Sequence, residues 1–272
     1  MKKKNWQINE VKCVEYLNNH FGTNIVSFEG KGGFDSTESD IIVLKNGIRA
    51  CYIEAKMPKS QCGQFVLFPN KENRKFESSR KNRPSEPSLP AEEIIEAMDA
   101  NFDCYCNPSG SNNLDMDQQL FYSWIIDHYK YKKVEYFIVS TGNDFLIFPL
   151  QKLDKYFVAS AKYRVKKSGS SNPSVTQEAE LKKLFSGPSC HNSKVFRQGK
   201  ELYAHVEDER EKIIVDTLEK SYQLSKVEDC TYRITRLSQT YNANVIFSIS
   251  LKKFVQDESD LEEFRVFLEL PL

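Results

Sequence analysis

The dipeptide Asn46-Gly47 lies between two apolar stretches rich in β-branched residues, 40–44 and 48–53. Asparagine and glycine accept the positive φ angles of tight turns at little cost, so this pattern is typical of two antiparallel strands joined as a hairpin. Apolar residues recur at helical spacing elsewhere, most clearly over 5–21. Strands mixed with helices predict an α/β fold of the mixed α+β kind.

The same hairpin carries three charged side chains: Asp40 begins its first strand, and Glu54 and Lys56 end its second. Because side chains alternate along a strand, Glu54 and Lys56 share one face. A two-residue turn at 46–47 would put Asp40 on the opposite face. We therefore predict a three-residue loop at 45–47, or an equivalent bulge, which brings Asp40 to the face of Glu54.

These residue types suit a metal-dependent hydrolysis of phosphodiester bonds. Two neighbouring carboxylates repel each other and are stabilised by a hard divalent cation such as Mg²⁺, which also keeps positions for water and phosphate oxygen. We predict Asp40, Glu54 and the backbone carbonyl of Ile53 as metal ligands, with Mn²⁺ able to replace Mg²⁺. Lys56 would orient the attacking water and neutralise charge in the transition state. Taken alone, however, charged residues also end many ordinary strands.

Longer stretches around these residues resemble the HhaI-like type II restriction endonucleases of the PD-(D/E)xK superfamily. The similar stretches include 36–41, 52–67, 163–170 and 242–252, in the same order along nearly the whole chain. The similarity is weakest between 171 and 230 and beyond 253. It implies Asp40, Glu54 and Lys56 as catalytic residues, a monomer that cuts the two DNA strands in turn, and a short palindrome, GCGC, as the target.

The resemblance also implies an organisation: a nuclease core with a central mixed β-sheet flanked by helices, plus β-containing modules. We expect a catalytic domain at 1–157 and a DNA sequence-recognition domain formed by 158–170 and 231–272. An inserted accessory DNA-contacting region would occupy 171–230, where a weak periodicity predicts one helix near 210–220. The implied partners are double-stranded DNA and a DNA methyltransferase of the same specificity.

A basic stretch late in the chain suits the reading of guanine in the major groove. Arginine and lysine bind guanine N7 and O6 there, and a flexible serine- and glycine-containing segment follows the cluster. A solvated strand edge protected by lysines is the alternative. Phe65 could equally be a core residue, and the asparagines could cap a turn. The candidate DNA-contacting residues are Ser60, Gln61, Gln64, Phe65, Arg164, Lys166, Lys167, Ser168, Ser170, Asn242 and Asn244.

Composition narrows the class of protein further. The 38 basic and 38 acidic residues cancel, which argues against a protein that coats nucleic acid through its charge. The chain lacks an apolar run long enough for a membrane span, and seven irregularly spaced cysteines indicate free thiols, so we expect a cytoplasmic protein. Two alternatives stay open: a structure-specific or repair nuclease on the same scaffold, and a DNA-binding protein with an inactive site.

Overall fold

The computed structural model describes residues 5–31, 39–80, 82, 87–106, 111–142, 144–167, 170–185, 194–217, 220–237 and 241–271; for 165–167, 170 and 241–242 it describes the backbone alone. The chain divides into two compact units. The first unit comprises Met1–Arg164 and Asn244–Leu272, and the second comprises Val165–Ala243. Within the described residues, no helix is long and apolar enough to cross a membrane.

The helices and strands alternate irregularly along the chain. In its first half they are α1 (Asn5–Phe21), β1 (Val26–Gly30), β2 (Ile41–Lys45), β3 (Ile48–Lys56), β4 (Lys59–Asn70), β5 (Lys75–Ser78), α2 (Leu89–Ala100), α3 (Phe102–Cys106), β6 (Ser111–Asn113) and α4 (Gln118–Tyr131). In its second half they are β7 (Val134–Thr141), β8 (Asp144–Pro149), α5 (Leu153–Tyr156), β9 (Phe157–Lys167), β10 (Ser170–Ser171), α6 (Val175–Phe185), β11 (Lys194–Gln198), β12 (Glu201–His205), β13 (Lys212–Asp216), β14 (Ser221–Glu228), β15 (Thr231–Leu237), β16 (Tyr241–Leu251) and α7 (Glu258–Glu269).

A mixed sheet with the strand order β1-β2-β3-β7-β8 forms the centre of the first unit. β3 and β7 run parallel, and the other neighbouring strands run antiparallel. On one face, Cys13 and Leu17 of α1 and Phe264 of α7 belong to the same buried cluster as Ile41 and Ile53. Burial of this apolar face holds both helices on the sheet.

Helix α4 covers the other face and also contacts a second sheet of the same unit. Towards the mixed sheet, Tyr129 meets Phe137 edge-on, with 5.0 Å between ring centroids. Towards the second sheet, of order β5-β4-β16-β9-β6, Trp124 stacks on Phe247 at 3.8 Å. The fold class expected from the sequence, a mixed α+β fold whose central mixed sheet is flanked by helices, is therefore confirmed.

The turn between β2 and β3 is shorter than predicted. Asn46 and Gly47 both have positive φ, 51° and 74°, and Lys45 pairs with Ile48 across them. The predicted three-residue loop is therefore wrong. The two-residue form occurs because asparagine and glycine both tolerate the left-handed region, and this turn matches the twist of the strands.

The predicted change of face occurs instead through a bulge within β3. Leu44 pairs with Arg49 and Val43 pairs with Cys51, so Ala50 is an extra residue in β3. One extra residue reverses the alternation of side chains for the rest of the strand. The alternative that we predicted, an equivalent bulge, is therefore confirmed, and its position at Ala50 is a finding of the structure.

The described residues of the second unit form an antiparallel sheet and one helix. The strand order is β11-β12-β15-β14-β13, and β10 pairs with the same edge of β15 as β12 does. Leu181 and Phe185 of α6 pack with alternate residues of the sheet, among them Leu202, Leu224 and Ile234. The helix predicted near 210–220 is wrong, because Lys212–Asp216 forms strand β13.

The observed units do not coincide with the domain boundaries expected from the sequence. The first unit ends at Arg164 and resumes at Asn244, and β10 and β15 both belong to the second unit. The expected division was by function, into a catalytic domain at 1–157, a recognition domain at 158–170 and 231–272, and an accessory region at 171–230. Because the two units are defined by their compactness and the expected domains by their function, the expected division stays a prediction.

Candidate active site

The bulge at Ala50 brings the two predicted carboxylates together. Beyond it, Ile41 pairs with Ile53, so the register places Asp40 opposite Glu54. The backbone N–H of Ala55 donates to Asp40 Oδ2 at 3.0 Å. Asp40 is therefore held against the end of β3, as the prediction that it shares a face with Glu54 requires.

Lys56 completes the charged group on the same face of β3. Its Nζ donates to Glu54 Oε1 at 2.8 Å, and the two side chains are only 10% and 8% exposed. The ammonium also lies 5.2 Å from the centre of the Tyr129 ring. Burial is the largest single influence and favours the neutral amine, but the combined attraction of the surrounding groups, of which Glu54 contributes most, holds the pKa of Lys56 above its ordinary value. Lys56 is therefore a hydrogen-bond donor with a retained positive charge.

The carboxylates are electrostatically strained without a cation. Burial, and then repulsion from Glu54, raises the pKa of Asp40 to about 8. The same two causes raise the pKa of Glu10, whose side chain reaches Asp40 from α1 and forms a hydrogen bond with it. Glu10 was not among the residues predicted from the sequence. Its signal was available, since Glu10 lies three residues before buried Cys13 and seven before buried Leu17, on the buried stripe of α1.

The residues present fit a hard divalent cation. Glu54 Oε2 is buried and has no hydrogen-bond partner among the described residues, although its neighbour Oε1 is bound by Lys56. A buried carboxylate oxygen without a donor is unfavourable unless a cation or water completes it. Within the described ranges, no three His, Cys, Asp or Glu side chains converge as a metal site on their own. Backbone carbonyl, water and phosphate oxygens would therefore complete the coordination, as magnesium commonly requires.

Two backbone carbonyls of β3 are candidates to complete the coordination of such a cation. Ile53, the ligand predicted from the sequence, pairs with Ile41 across the β2–β3 ladder, and its role stays a prediction. The N–H and C=O of one strand residue point to the same side. Since the N–H of Ala55 points to Asp40, the carbonyl of Ala55 also faces that side and is a further candidate ligand.

The polar residues that follow the site lie on β4. Gln61 and Gln64 are exposed, so both are accessible to a DNA ligand. Ser60 is partly buried, and its hydroxyl both accepts from the N–H of Met57 and donates to the Met57 carbonyl, each at 3.0 Å. Ser60 therefore stabilises the turn between β3 and β4, while the glutamines stay candidates for DNA contact.

Two of the predicted DNA-contacting residues are buried instead. Phe65 is 1% exposed and packs against both rings of the stacked pair Trp124 and Phe247, so its assignment to DNA contact is wrong and its core interpretation is right. Asn244 is 2% exposed, and its amide donates to Gln64 Oε1 at 3.4 Å. Asn244 thus supports an exposed glutamine and does not itself present a side chain to DNA.

The basic stretch predicted to read guanine is described in part. Arg164 is partly exposed on β9, opposite Ser111 of β6, and its Nε is buried without a partner among the described residues. It stays a candidate for base recognition. The remaining predicted residues lie outside what the structure describes. Ser168 is not described at all, and the side chains are not described for Lys166, Lys167, Ser170 and Asn242.

Comparison with known proteins found a similar solved structure. A solved structure of HhaI endonuclease in complex with DNA is 37% identical to this chain, covers 98% of it and 100% of its own length, and superposes with a TM-score of 0.71. Searches of protein-family models and of curated proteins found no match. The fold, the site and this similarity define a DNA nuclease of the restriction type. More specifically, the chain belongs to the HhaI endonuclease family.

Proposed function

We propose that this protein is a magnesium-dependent type II restriction endonuclease. It hydrolyses phosphodiester bonds of double-stranded DNA at a short palindrome, GCGC, and acts as a monomer that cuts the strands in turn. Mn²⁺ substitutes for Mg²⁺, and a methyltransferase of the same specificity protects the DNA of the host. The similarity to an endonuclease that was solved with DNA supports the substrate, and Arg164 is the described candidate for reading guanine.

One observation carries the proposal: Glu54 is opposed by Asp40, is bound by Lys56 through one oxygen, and has no hydrogen-bond partner for the other oxygen in the described parts of the chain. A structural ion pair would need only Glu54 and Lys56. The additional, partly buried carboxyl of Asp40 raises the electrostatic energy of the folded chain, and a divalent cation would offset it.

Each of these side chains has a different role in the proposed reaction. Asp40 and Glu54 would hold the metal ion, which when bound polarises a phosphate and lowers the pKa of a water molecule. Lys56 keeps its proton, so it orients the water and stabilises negative charge on the phosphate by donating hydrogen bonds. Glu54 Oε1 fixes the position of the Lys56 ammonium. Tyr129, with its ring against Lys56 and only 2% exposed, excludes water from that side.

Digestion of a mapped plasmid with magnesium, followed by sequencing of the fragment ends, tests the proposed function. We expect discrete fragments whose ends share one short palindrome, with nicked circles preceding linear DNA in the time course. DNA methylated at that palindrome should stay intact. A smear of fragments would indicate a nuclease without sequence preference, and uncut but tightly bound DNA would indicate a binding protein.

Single substitutions test the assignment of the catalytic residues. We expect Asp40→Ala and Lys56→Ala to lower the cleavage rate by about 100-fold or more, the effect of losing one group that stabilises the transition state. DNA binding in calcium should stay close to that of the unaltered protein. Lys59→Ala is a matched control, because Lys59 is an exposed lysine three residues further along the chain. Equal rates for Lys56→Ala and Lys59→Ala would remove Lys56 from the mechanism.

A further inference from the structure

A recess in the first unit, lined by polar and apolar residues together, lies outside the catalytic group. It has a volume of about 320 Å³ and is formed by one side of α1, the β3–β4 turn and the end of β7. Asn5, Asn9 and Lys12 line it from α1, and Ser140 and Thr141 line it from β7. The three α1 residues are spaced four and three positions apart, which places their side chains along one face of the helix.

Two residues that line the recess are next to residues of the catalytic group in the chain. Asn9 directly precedes Glu10, which bonds to Asp40, and the recess residue Met57 directly follows Lys56. Consecutive Cα atoms lie about 3.8 Å apart, so the recess begins within one residue of the charged side chains. The hydroxyl of Ser140 donates to Asn9 Oδ1 and joins β7 to α1 at this boundary.

The lining of the recess suits a phosphate group. Lys12 is exposed, and it makes no ion pair within the part of the chain that the structure describes. The side chains of Asn5, Asn9 and Thr141 supply amide and hydroxyl donors around the same space. Lysine, asparagine and threonine are common ligands of DNA phosphates, which position a duplex without reading its sequence.

We propose that this recess binds a backbone phosphate of the DNA strand next to the scissile phosphate, with Lys12 as a positioning residue. This inference rests on the proposed function, because a nuclease must hold the strand on both sides of the bond that it cuts. Lys12 neutralises the bound phosphate, and the asparagines fix its position against α1. The contact sets the distance from the bound strand to Asp40 and Glu54.

The first test compares Lys12→Gln with the control Lys130→Gln, an exposed lysine near the end of α4. Binding of the target duplex is measured in calcium over a range of salt concentrations. The binding constant falls as salt rises, and losing one phosphate contact makes the slope of log K against log salt less steep by about 0.9. If the affinities of variant and wild type are equal at 1 M salt, this difference in slope makes the variant bind about eightfold more weakly at 0.1 M. We expect this change for Lys12→Gln and none for Lys130→Gln.

The second test locates the phosphate by making single phosphates of the duplex uncharged with methylphosphonate, scanning each one across the palindrome. At one position next to the scissile phosphate, the losses from Lys12→Gln and from the methylphosphonate should not add. Strictly additive losses at every position, or an unchanged salt slope for Lys12→Gln, would overturn the inference. Since binding is measured apart from cleavage, DNA that is bound by wild type but never cut would contradict the proposed function alone.

Discussion

The raised pKa of Asp40 predicts that the active site destabilises the metal-free protein. A carboxyl whose pKa is raised on folding binds its proton more tightly in the folded state. Its contribution to stability is therefore fully present below its ordinary pKa of 3.8 and is lost as pH rises to about 8. Between pH 5 and pH 8, an interval of three pH units, the folded protein loses about 4 kcal/mol of stability, at about 1.36 kcal/mol for each pH unit. Asp40→Asn removes the titration and keeps an oxygen that can accept from Ala55 N–H.

We therefore expect the difference in the free energy of unfolding between Asp40→Asn and wild type to shift by about 4 kcal/mol in favour of the variant when the pH is raised from 5 to 8 in the presence of EDTA. Urea unfolding followed by tryptophan fluorescence measures this, since both tryptophans, Trp6 and Trp124, lie in the first unit. Asp115→Asn, at an exposed aspartate, is the control. If the stability difference between Asp40→Asn and wild type were the same at both pH values, the electrostatic reasoning would be refuted.

Two further predictions concern the register of the hairpin and the anchoring of α7. Deleting Ala50 removes the only unpaired residue of the ladder and leaves Val43 paired with Cys51 and Asp40 opposite Glu54, so the variant should cleave at close to the wild-type rate. A rate about 100-fold lower would contradict this account of the register. Asp260→Ala removes a fully buried carboxylate bonded to two lysines and a tyrosine, and should cost about 2–4 kcal/mol in urea unfolding. Glu263→Ala, at a half-exposed partner of one of those lysines, should cost less than about 1 kcal/mol, and an equal cost would argue against a buried network.

Local signals predicted the elements of the catalytic sheet well. The helix expected at 5–21 is present as α1 and ends at Phe21 as predicted, and Asn46-Gly47 marks the hairpin turn. The position of the bulge could not be predicted, because it depends on which face of β3 packs on α1 and α7, and both helices are distant in sequence. The sequence therefore predicted the shared face of Asp40 and Glu54 and not how the chain achieves it.

Signals from long-range contacts were weaker. On α1, Trp6 and Val11 fit the helical spacing of the apolar residues but are exposed, whereas Leu17, which fits the same spacing, is buried together with Cys13. In the second unit, Lys212–Asp216 was expected to be helical. It is a strand of alternating partial burial at the edge of its sheet, paired along its whole length with β14. Its central residues, Ile213, Ile214 and Val215, are all β-branched and favour a strand, so the local signal was present in the sequence and the helical prediction ran against it.

The second unit interrupts one sheet of the first. β9 and β16 are hydrogen-bonded neighbours, and the boundaries of the units fall within them, after Arg164 and before Asn244. The chain thus leaves and re-enters the nuclease sheet at adjacent strands, where a tight turn would close an ordinary hairpin. Insertions with closely spaced ends can be exchanged or shortened while the host fold persists. In related nucleases the segment between β9 and β16 can therefore be gained, shortened or replaced while the residues of the active site stay the same.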